Sequence, residues 1–187
     1  MKRNLKTISA ITAGSLLLAT GAVAAIQKYP MVGGAAMLPS RTIVQNAVNS
    51  RDHTTLVAAV KAAGLVDTLN GPGPFTVFAP TNAAFAKLPK GTVETLLKPE
   101  NKGMLTSVLT YHVVPGRMTA ADLAKNAAAH GGKATLTTVQ GGMLTVSKGP
   151  GNSWWVGDAK GGKAKITIAN VGQSNGVIHV VDKVLMP

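Results

Sequence analysis

The spacing of hydrophobic residues predicts that helices dominate the first half of the folded chain. Apolar residues recur one helical turn apart over 42–48 and again over 52–64, where a terminal glycine favours the end of a helix. Thr119 and Asp122 have the spacing of a capping box, which predicts the start of another helix. Further helices are predicted over 65–69, 83–87, 92–97, 101–109 and 120–127.

Alternation of apolar and polar residues predicts strands, most of them in the second half of the chain. The strands are predicted over 75–78, 111–114, 134–140, 143–147, 154–156, 165–169 and 177–185. Gly141-Gly142 separates two of them and favours a hairpin with a two-residue turn. Because helices come first and strands later, without the regular alternation of a doubly wound sheet, the pattern favours an α+β fold with a mixed or antiparallel sheet. One domain is predicted over 41–187.

The first 24 residues are predicted to be a signal peptide that is cleaved after Ala24. Basic residues precede an uncharged apolar stretch at 7–23, and Ala22-Val23-Ala24 supplies the small residues that a signal peptidase requires. An uncleaved membrane anchor is the alternative, because the stretch approaches the roughly 20 residues that span a bilayer. Residues 25–40 are predicted to be a flexible tail. Cleavage predicts a secreted or periplasmic protein without a transmembrane anchor.

The strongly basic composition raises the question of an anionic partner. The chain of 187 residues has a formal net charge of +12, and the mature chain has +9 once Lys2, Arg3 and Lys6 are removed. Its basic residues are mostly scattered and aromatic residues make up 4% of the chain, which disfavours nucleic-acid binding. Attraction to anionic cell-surface polymers or lipid headgroups is the favoured interpretation. The absence of cysteine excludes thiolate zinc sites and a cysteine nucleophile.

Catalytic and metal-binding patterns are weak in this sequence. Gly172-Gln173-Ser174-Asn175-Gly176 matches the G-x-S-x-G pattern of serine hydrolases, but a strand rather than a helix is predicted after Ser174. The four histidines occur singly, without metal-ligand spacing. The sequence therefore predicts no catalytic residues, no metal site and no cofactor.

Three segments, each coupling an apolar strand to a polar residue, occur in a characteristic order. They are 75–85, which runs FTVFAPTNAAF, 109–116, which runs LTYHVVPG, and 175–185, which runs NGVIHVVDKVL. Together they resemble the signature of the fasciclin domain, and the resemblance spans about residues 40–187. It implies a compact wedge of β-strands packed with several short α-helices, exported from the cell and acting in adhesion to cells or matrix. Some members of that family also bind apolar pigments such as carotenoids.

The resemblance and the residues together give a set of partner-binding candidates. Animal members contact integrins near the Tyr-His pair and the closing motif, which here are Tyr111, His112 and the segment with His179. His112 has a second interpretation, an imidazole that bonds to a backbone carbonyl or a hydroxyl and fixes a helix to a strand.

Either Thr81 or Asn82 is predicted to cap the short helix over 83–87, and a ligand contact is the second interpretation of Asn82. Trp154 and Trp155 are adjacent, so on a strand they face opposite sides, one in the core and the other available for sugar, lipid or protein.

Three functions follow from these observations. The leading hypothesis is a non-enzymatic adhesion and interaction module that binds a cell-surface or matrix protein or an anionic polymer. The alternative is a carrier of a small hydrophobic ligand, carotenoid-like or lipid, suggested by the 45% hydrophobic content. The third is an extracellular hydrolase that uses Ser174.

Overall fold

The computed structural model of the protein describes residues 29–187, apart from the side chain of Asn152. The predicted signal peptide, its cleavage after Ala24 and the beginning of the predicted tail lie outside these residues. Among the described residues, no helix combines the length and the hydrophobicity needed to cross a membrane.

The seven α-helices of the described residues all lie between residues 43 and 129. Several begin at threonine caps, because a threonine hydroxyl accepts a hydrogen bond from a backbone N–H that has no partner inside the helix. Thr42 and Thr119 form complete capping boxes, with Gln45 and Asp122 respectively. The helices are α1 (Ile43–Ala47), α2 (Thr54–Ala63), α3 (Val66–Asn70), α4 (Asn82–Ala86), α5 (Thr92–Leu96), α6 (Lys102–Tyr111) and α7 (Ala120–Ala129), with single 3₁₀ turns at Arg51–His53, Pro99–Asn101 and Pro150–Asn152.

The strands form a two-stranded ribbon and a mixed seven-stranded sheet within the described residues. They are β1 (Met31–Val32), β2 (Ala35–Ala36), β3 (Phe75–Pro80), β4 (Val113–Pro115), β5 (Lys133–Thr137), β6 (Met143–Lys148), β7 (Trp154–Gly157), β8 (Lys163–Gln173) and β9 (Gly176–Val181). The large sheet has the order β4-β3-β9-β8-β7-β6-β5. Its second and third strands, β3 and β9, form a parallel pair, and the other neighbours are antiparallel. The predicted α+β class with a mixed sheet is confirmed.

The sheet curls so that its two edges approach each other. The backbone N–H of Val139, just after β5, donates to the carbonyl of Val113 in β4 at 2.8 Å. Strand β8 carries register shifts between Ile166 and Ile168 and again before Val171, and such irregularities bend a strand.

Two hydrophobic cores result, one on each side of the parallel pair β3 and β9. The first lies between that pair and α1–α6, and the second lies inside the curled sheet with α7. Val77 faces the first core and Phe78 the second, so strand β3, buried from Thr76 onward, serves both.

The segment before α1 differs from the predicted flexible tail. The β1–β2 ribbon packs on the domain, and Val32 and Met37 are buried in the first core. Asn46 ties this segment down, because its amide donates to the Leu38 carbonyl at 2.7 Å and its side-chain oxygen accepts from the Leu38 N–H at 3.1 Å. These contacts explain why a segment without periodicity is ordered.

Several predicted boundaries shift in the structure. Strand β5 ends at Thr137 rather than at residue 140, so residues 138–142 connect it to β6 in place of the predicted two-residue turn. Tyr111, predicted at the start of a strand, is the last residue of α6, and the strand begins at Val113. The closing strand ends at Val181 rather than Leu185, but Val184 and Leu185 remain buried.

Candidate functional site

His112 is buried and fully hydrogen-bonded inside the protein. Its side chain is 2% exposed, its Nδ1 lies 2.8 Å from the Val108 carbonyl oxygen, and its Nε2 accepts from the Leu185 N–H at 3.0 Å. Because Nε2 accepts, Nδ1 carries the proton and donates to Val108. Burial lowers the pKa of His112 to about 4, and the Val108 carbonyl and Asp158 only partly oppose this effect. The imidazole is therefore neutral at pH 7 and holds α6 to the segment after β9.

Tyr111 is also an internal contact. It is 1% exposed, and its hydroxyl donates to the Met143 carbonyl at 2.7 Å and accepts from the Ala159 N–H at 3.0 Å. Its ring lies against Gly142, where an added Cβ would come within 2.6 Å of the ring. The hydroxyl thus joins α6 to β6 and to the turn between β7 and β8.

His179 is the third buried member of the predicted set. Its Nε2 donates to the Met118 carbonyl at 2.9 Å, its Nδ1 accepts from the Asn170 N–H at 3.4 Å, and its ring stacks on Phe78 with centroids 5.6 Å apart. Burial lowers the pKa of His179, with a smaller opposite effect from Met118. The side chains of Tyr111, His112 and His179 are therefore all buried and bonded inside the protein.

Asn82 caps a helix, but not the one predicted. Thr81 is the cap of α4, since its hydroxyl accepts from the Ala84 N–H. The Asn82 side chain instead accepts from the Thr55 N–H at 3.0 Å and donates to the Arg51 carbonyl at 2.8 Å. The Asn82 side chain thereby provides a hydrogen-bond partner for a backbone N–H in the first turn of α2, although it belongs to a different helix.

The two tryptophans lie on opposite faces of β7. Trp154 shares its side with the buried Val156 and packs against the second core, with the Lys148 ammonium 5.7 Å from its ring centroid. Trp155 faces the outside and remains half-exposed. Trp154, Trp155 and Asn82 are the predicted candidates that remain partly exposed, and of the two rings that of Trp155 faces away from the core.

Ser174 lies in an exposed turn between two strands, β8 and β9. A nucleophile elbow requires a helix after the serine, so this turn lacks the geometry that exposes and activates the hydroxyl. Within residues 29–187, no hydrogen bond joins the Ser174 hydroxyl to a histidine, and His179 is committed to Met118 and Asn170. The hydrolase hypothesis has no support in this geometry.

No group of three or more potential metal ligands comes together in the part of the chain that the structure describes. The dispersed carboxylates and the internal partners of the buried histidines account for this result. The described residues thus offer no ready-made metal centre.

An apolar cavity of about 60 Å³ lies in the first core. It lies between the first three helices and the central strands, and its lining includes Val57, Val60, His53 and Ile178. His53 is 3% exposed, and its Nδ1 lies 2.9 Å from the Ser50 hydroxyl. Its Nε2 is a buried side-chain atom without a hydrogen-bond partner among the described residues.

Burial lowers the pKa of His53, and the Ala79 carbonyl and Asp52 partly offset that effect. The Ala79 carbonyl does not meet the geometry of a hydrogen bond to Nε2. His53 is not among the residues predicted from the sequence as site candidates. Its position one helical turn before Leu56, on the buried stripe of α2, was the available signal.

The fasciclin domain model matches residues 51–187, which include all three signature segments. The chain belongs to the fasciclin domain family. The shared segments therefore correspond to the buried contacts of His112, Tyr111 and His179 that hold this fasciclin domain together.

Its relatives are bacterial proteins of similar or greater length. The chain is 45% identical over 183 residues to Protein sll1483 of Synechocystis sp., covering 96% of this chain and 93% of that protein. It is 42% identical over 146 residues to the Immunogenic protein MPB70 of Mycobacterium bovis, covering 75% and 66%. It is 34% identical over 167 residues to the Cell surface glycolipoprotein MPB83 of the same species, covering 89% and 64%.

A solved structure with the same fold is the FAS1 domain pair from the insect cell adhesion molecule fasciclin I. The TM-score is 0.70 at 20% identity, covering 79% of this chain and 51% of that chain. The present chain thus spans about half of the domain pair, and the likeness establishes the fold alone.

Proposed function

We propose that this fasciclin domain works outside the cytoplasmic membrane, secreted or periplasmic, as a non-enzymatic adhesion module. Its partner is a cell-surface or matrix protein or an anionic surface polymer. The observation that carries this proposal is the internal position of the signature side chains. Tyr111, His112 and His179 bond to the protein's own backbone, so recognition falls to the exposed, basic surface rather than to a reaction centre.

The relatives support the same compartment and role. One is a cell surface glycolipoprotein, and the fold is shared with a cell adhesion molecule. The predicted signal peptide and the mature charge of +9 favour contact with anionic envelope material. Because surface charges are screened by salt, this contact weakens as ionic strength rises.

The test is retention of the protein, recovered from its own host, on whole host cells and on extracted envelope polymer. We expect binding that falls between roughly 0.05 and 0.5 M salt, a range in which the Debye length shortens about threefold. Heat-unfolded protein of the same charge is the control for nonspecific attraction. Failure of the folded protein to bind cells or polymer would overturn the proposal.

A second candidate function, transport of a small hydrophobic ligand, is favoured by the cavity beside His53. The lining is apolar apart from a few groups, one of which, Nε2, has no partner among the described residues. If the Ser50 hydroxyl donates to Nδ1, the Nε2–H is free to donate to a carbonyl or hydroxyl oxygen of a ligand. A buried donor without a partner costs about 1–3 kcal/mol, and a ligand oxygen removes that cost.

The size of the cavity limits this candidate. At about 60 Å³ it is smaller than the roughly 150 Å³ that accommodates benzene, so it holds only the end of a carotenoid or lipid chain as it stands. A larger ligand requires α1 and α2 to separate.

A native mass spectrum of protein from the host tests the carrier function directly. An added mass that leaves on unfolding, and that is absent in His53→Phe but present in the surface variant His130→Phe, supports the carrier. A bare mass beginning at Ala25 contradicts it and agrees with the predicted cleavage.

A further inference from the structure

A row of lysines and one aromatic ring crosses the outer face of β5–β8. The register places Lys133 beside Ser147, Ser147 beside Trp155 and Trp155 beside Lys165. Since neighbouring strands lie about 4.8 Å apart, the row spans about 14 Å. Lys163 stands two residues from Lys165 on the same side. We call these five residues the lysine–tryptophan face.

The residues between these positions point the other way. The inward neighbours on all four strands are fully buried in the second core, namely Ala134, Val146, Val156 and Ala164. The three lysines of the face are exposed, and Ser147 and Trp155 are half-exposed. Alternation along the strands therefore gives a solvated face whose backbone is held rigid by the core beneath it.

The Trp155 ring is held in one orientation. Its Nε1 donates to the Ser153 hydroxyl at 2.9 Å, and that hydroxyl donates to the Pro150 carbonyl at 2.7 Å. The same edge of the indole lies against Gly149, where an added Cβ would come within 2.3 Å of Nε1. An aromatic ring fixed before binding loses little conformational entropy when a ligand stacks on it.

The positive charge of this face is not neutralised by its neighbours. Residues 133–173 contain five lysines and one acidic residue, Asp158. The Asp158 carboxylate accepts from the backbone N–H groups of Lys160, Gly162 and Met186, so it holds a turn. Asp182, nearby on the chain after β9, accepts from the Lys165 N–H.

Ion pairs occur elsewhere in the described part of the chain. They join Lys87 to Asp182 and Lys98 to Glu100. The ammonium groups of Lys133, Lys163 and Lys165 take part in no ion pair among residues 29–187, so they are available to an anionic partner.

We propose that the lysine–tryptophan face binds an acidic polysaccharide. A sugar ring stacks on Trp155, and carboxylate or sulfate groups of the chain pair with Lys133, Lys163 and Lys165. Hydroxyls of Ser147 and of the threonines beside it, Thr135 and Thr145, provide hydrogen-bond partners for the sugar hydroxyls. This inference rests on the proposed surface function and names its partner.

The polar character of the face decides between a polysaccharide and a lipid surface. A membrane-binding face needs several protruding apolar side chains, whereas this one carries hydroxyls and a single ring held close to the sheet. Met143 is exposed at the far corner, four residues before Ser147 on β6, and lies outside the row.

The test measures binding of the folded protein to alginate, a polymer of uronic acids, by calorimetry and tryptophan fluorescence, with neutral dextran as the uncharged control. The main variant replaces Lys133, Lys163 and Lys165 by Gln. Its matched control replaces Lys90, Lys102 and Lys125, three exposed lysines on other elements, by Gln. The two variants carry the same net charge.

We expect alginate binding without dextran binding. The face variant should lose about tenfold or more in affinity, while the control should lose about twofold or less. Trp155→Leu should lose about fivefold or more, in the range of stacking losses. The fluorescence change should persist in Trp154→Phe and disappear in Trp155→Phe.

Several outcomes overturn this inference. Equal losses of alginate affinity in the two lysine variants would mean that alginate is attracted by the overall positive charge and not by a specific site. Binding to phosphatidylglycerol vesicles but not to alginate means a lipid surface. If Trp155→Leu fails to fold, comparison of the two triple lysine variants still tests whether alginate binds at this face. Retention on host envelope without alginate binding overturns the inference alone, whereas loss of envelope retention overturns the proposed function.

Discussion

The Nε2 of His112 accepts a hydrogen bond from the Leu185 N–H at 3.0 Å, across 73 residues of chain. The two residues come from two signature segments of the family. Their contact joins the end of α6 to the segment that follows β9, and Leu185 is fully buried beside it. The Tyr-His pattern, which suggests a binding motif in the sequence, thus provides an internal contact between two distant segments. We call the hydrogen bonds of His112 to Leu185 and Val108 the clamp.

Removing the imidazole should be strongly destabilising. His112→Ala leaves the Leu185 N–H and the Val108 carbonyl buried without partners, so we expect a loss of about 2–5 kcal/mol in the free energy of unfolding. Denaturation in urea measures it. His130→Ala is the matched control, because His130 is exposed and bonds only to the Asn126 carbonyl of its own helix. Similar losses in both variants would contradict the clamp.

Acid should weaken the fold through the same residue. The pKa of His112 falls from its ordinary 6.5 to about 4 on folding, so the unfolded chain binds the proton more readily. The stabilisation is complete above about pH 6.5 and is lost as the pH falls towards 4, by about 3 kcal/mol. His53 and His179 act in the same direction.

Two measurements check the acid effect. Urea unfolding at a series of pH values gives the loss of free energy, and the NMR signal of the His112 ring reports its protonation. That signal should not titrate between pH 8 and pH 5. A midpoint near 6.5 would show that the ring is accessible to water.

Adjacent positions on β6 should respond very differently to truncation. Leu144 is fully buried in the second core, whereas Met143 is 59% exposed. We expect Leu144→Ala to cost about 2–5 kcal/mol and Met143→Ala about 0.5 kcal/mol or less. Thermal unfolding of the two variants compares their stabilities directly. A large loss of stability in Met143→Ala would contradict the exposed position of the Met143 side chain.

Asn82 should matter for stability and not for binding. Asn82→Ala removes its bonds to Thr55 and Arg51, and we expect a loss of about 1–2 kcal/mol, as for a helix cap. Envelope retention of the folded variant should equal that of the wild type. If Asn82→Ala keeps its stability but is no longer retained on the envelope, Asn82 contacts the partner.

Much of the fold follows from local signals. The capping box at Thr119 and the apolar spacing of the helices act over a few residues, so they identify elements without knowledge of the neighbours. The glycines at Gly141-Gly142 indicated the hairpin of β5 and β6, but its connection is residues 138–142 and not the predicted two-residue turn. The alternation in β5–β8 likewise predicts which side faces inward, and the opposite orientations of Trp154 and Trp155 follow from it. The antiparallel neighbourhood of β5 and β6, which are close in the chain, could be predicted; the parallel pairing of β3 with β9 joins residues about 100 positions apart and could not.

The apolar patterns predict seven core residues, namely Phe75, Val77, Phe78, Phe85, Leu109, Ile178 and Val180. Six of them are buried, and Phe75 is half-exposed at the start of β3. Periodicity identifies a face of an element but not the depth of each position along it.

The amino-acid sequence by itself determined the fold class, the family and the basic character of the chain, because composition and local patterns carry that information. Tertiary structure alone decided the roles of the polar residues. Tyr111, His112 and His179 became internal contacts, Asn82 became the cap of a distant helix, and His53 became part of a cavity wall. The physical reason is that a polar side chain acquires its role from the partners and the burial around it, and here those partners lie up to 73 residues away in the chain.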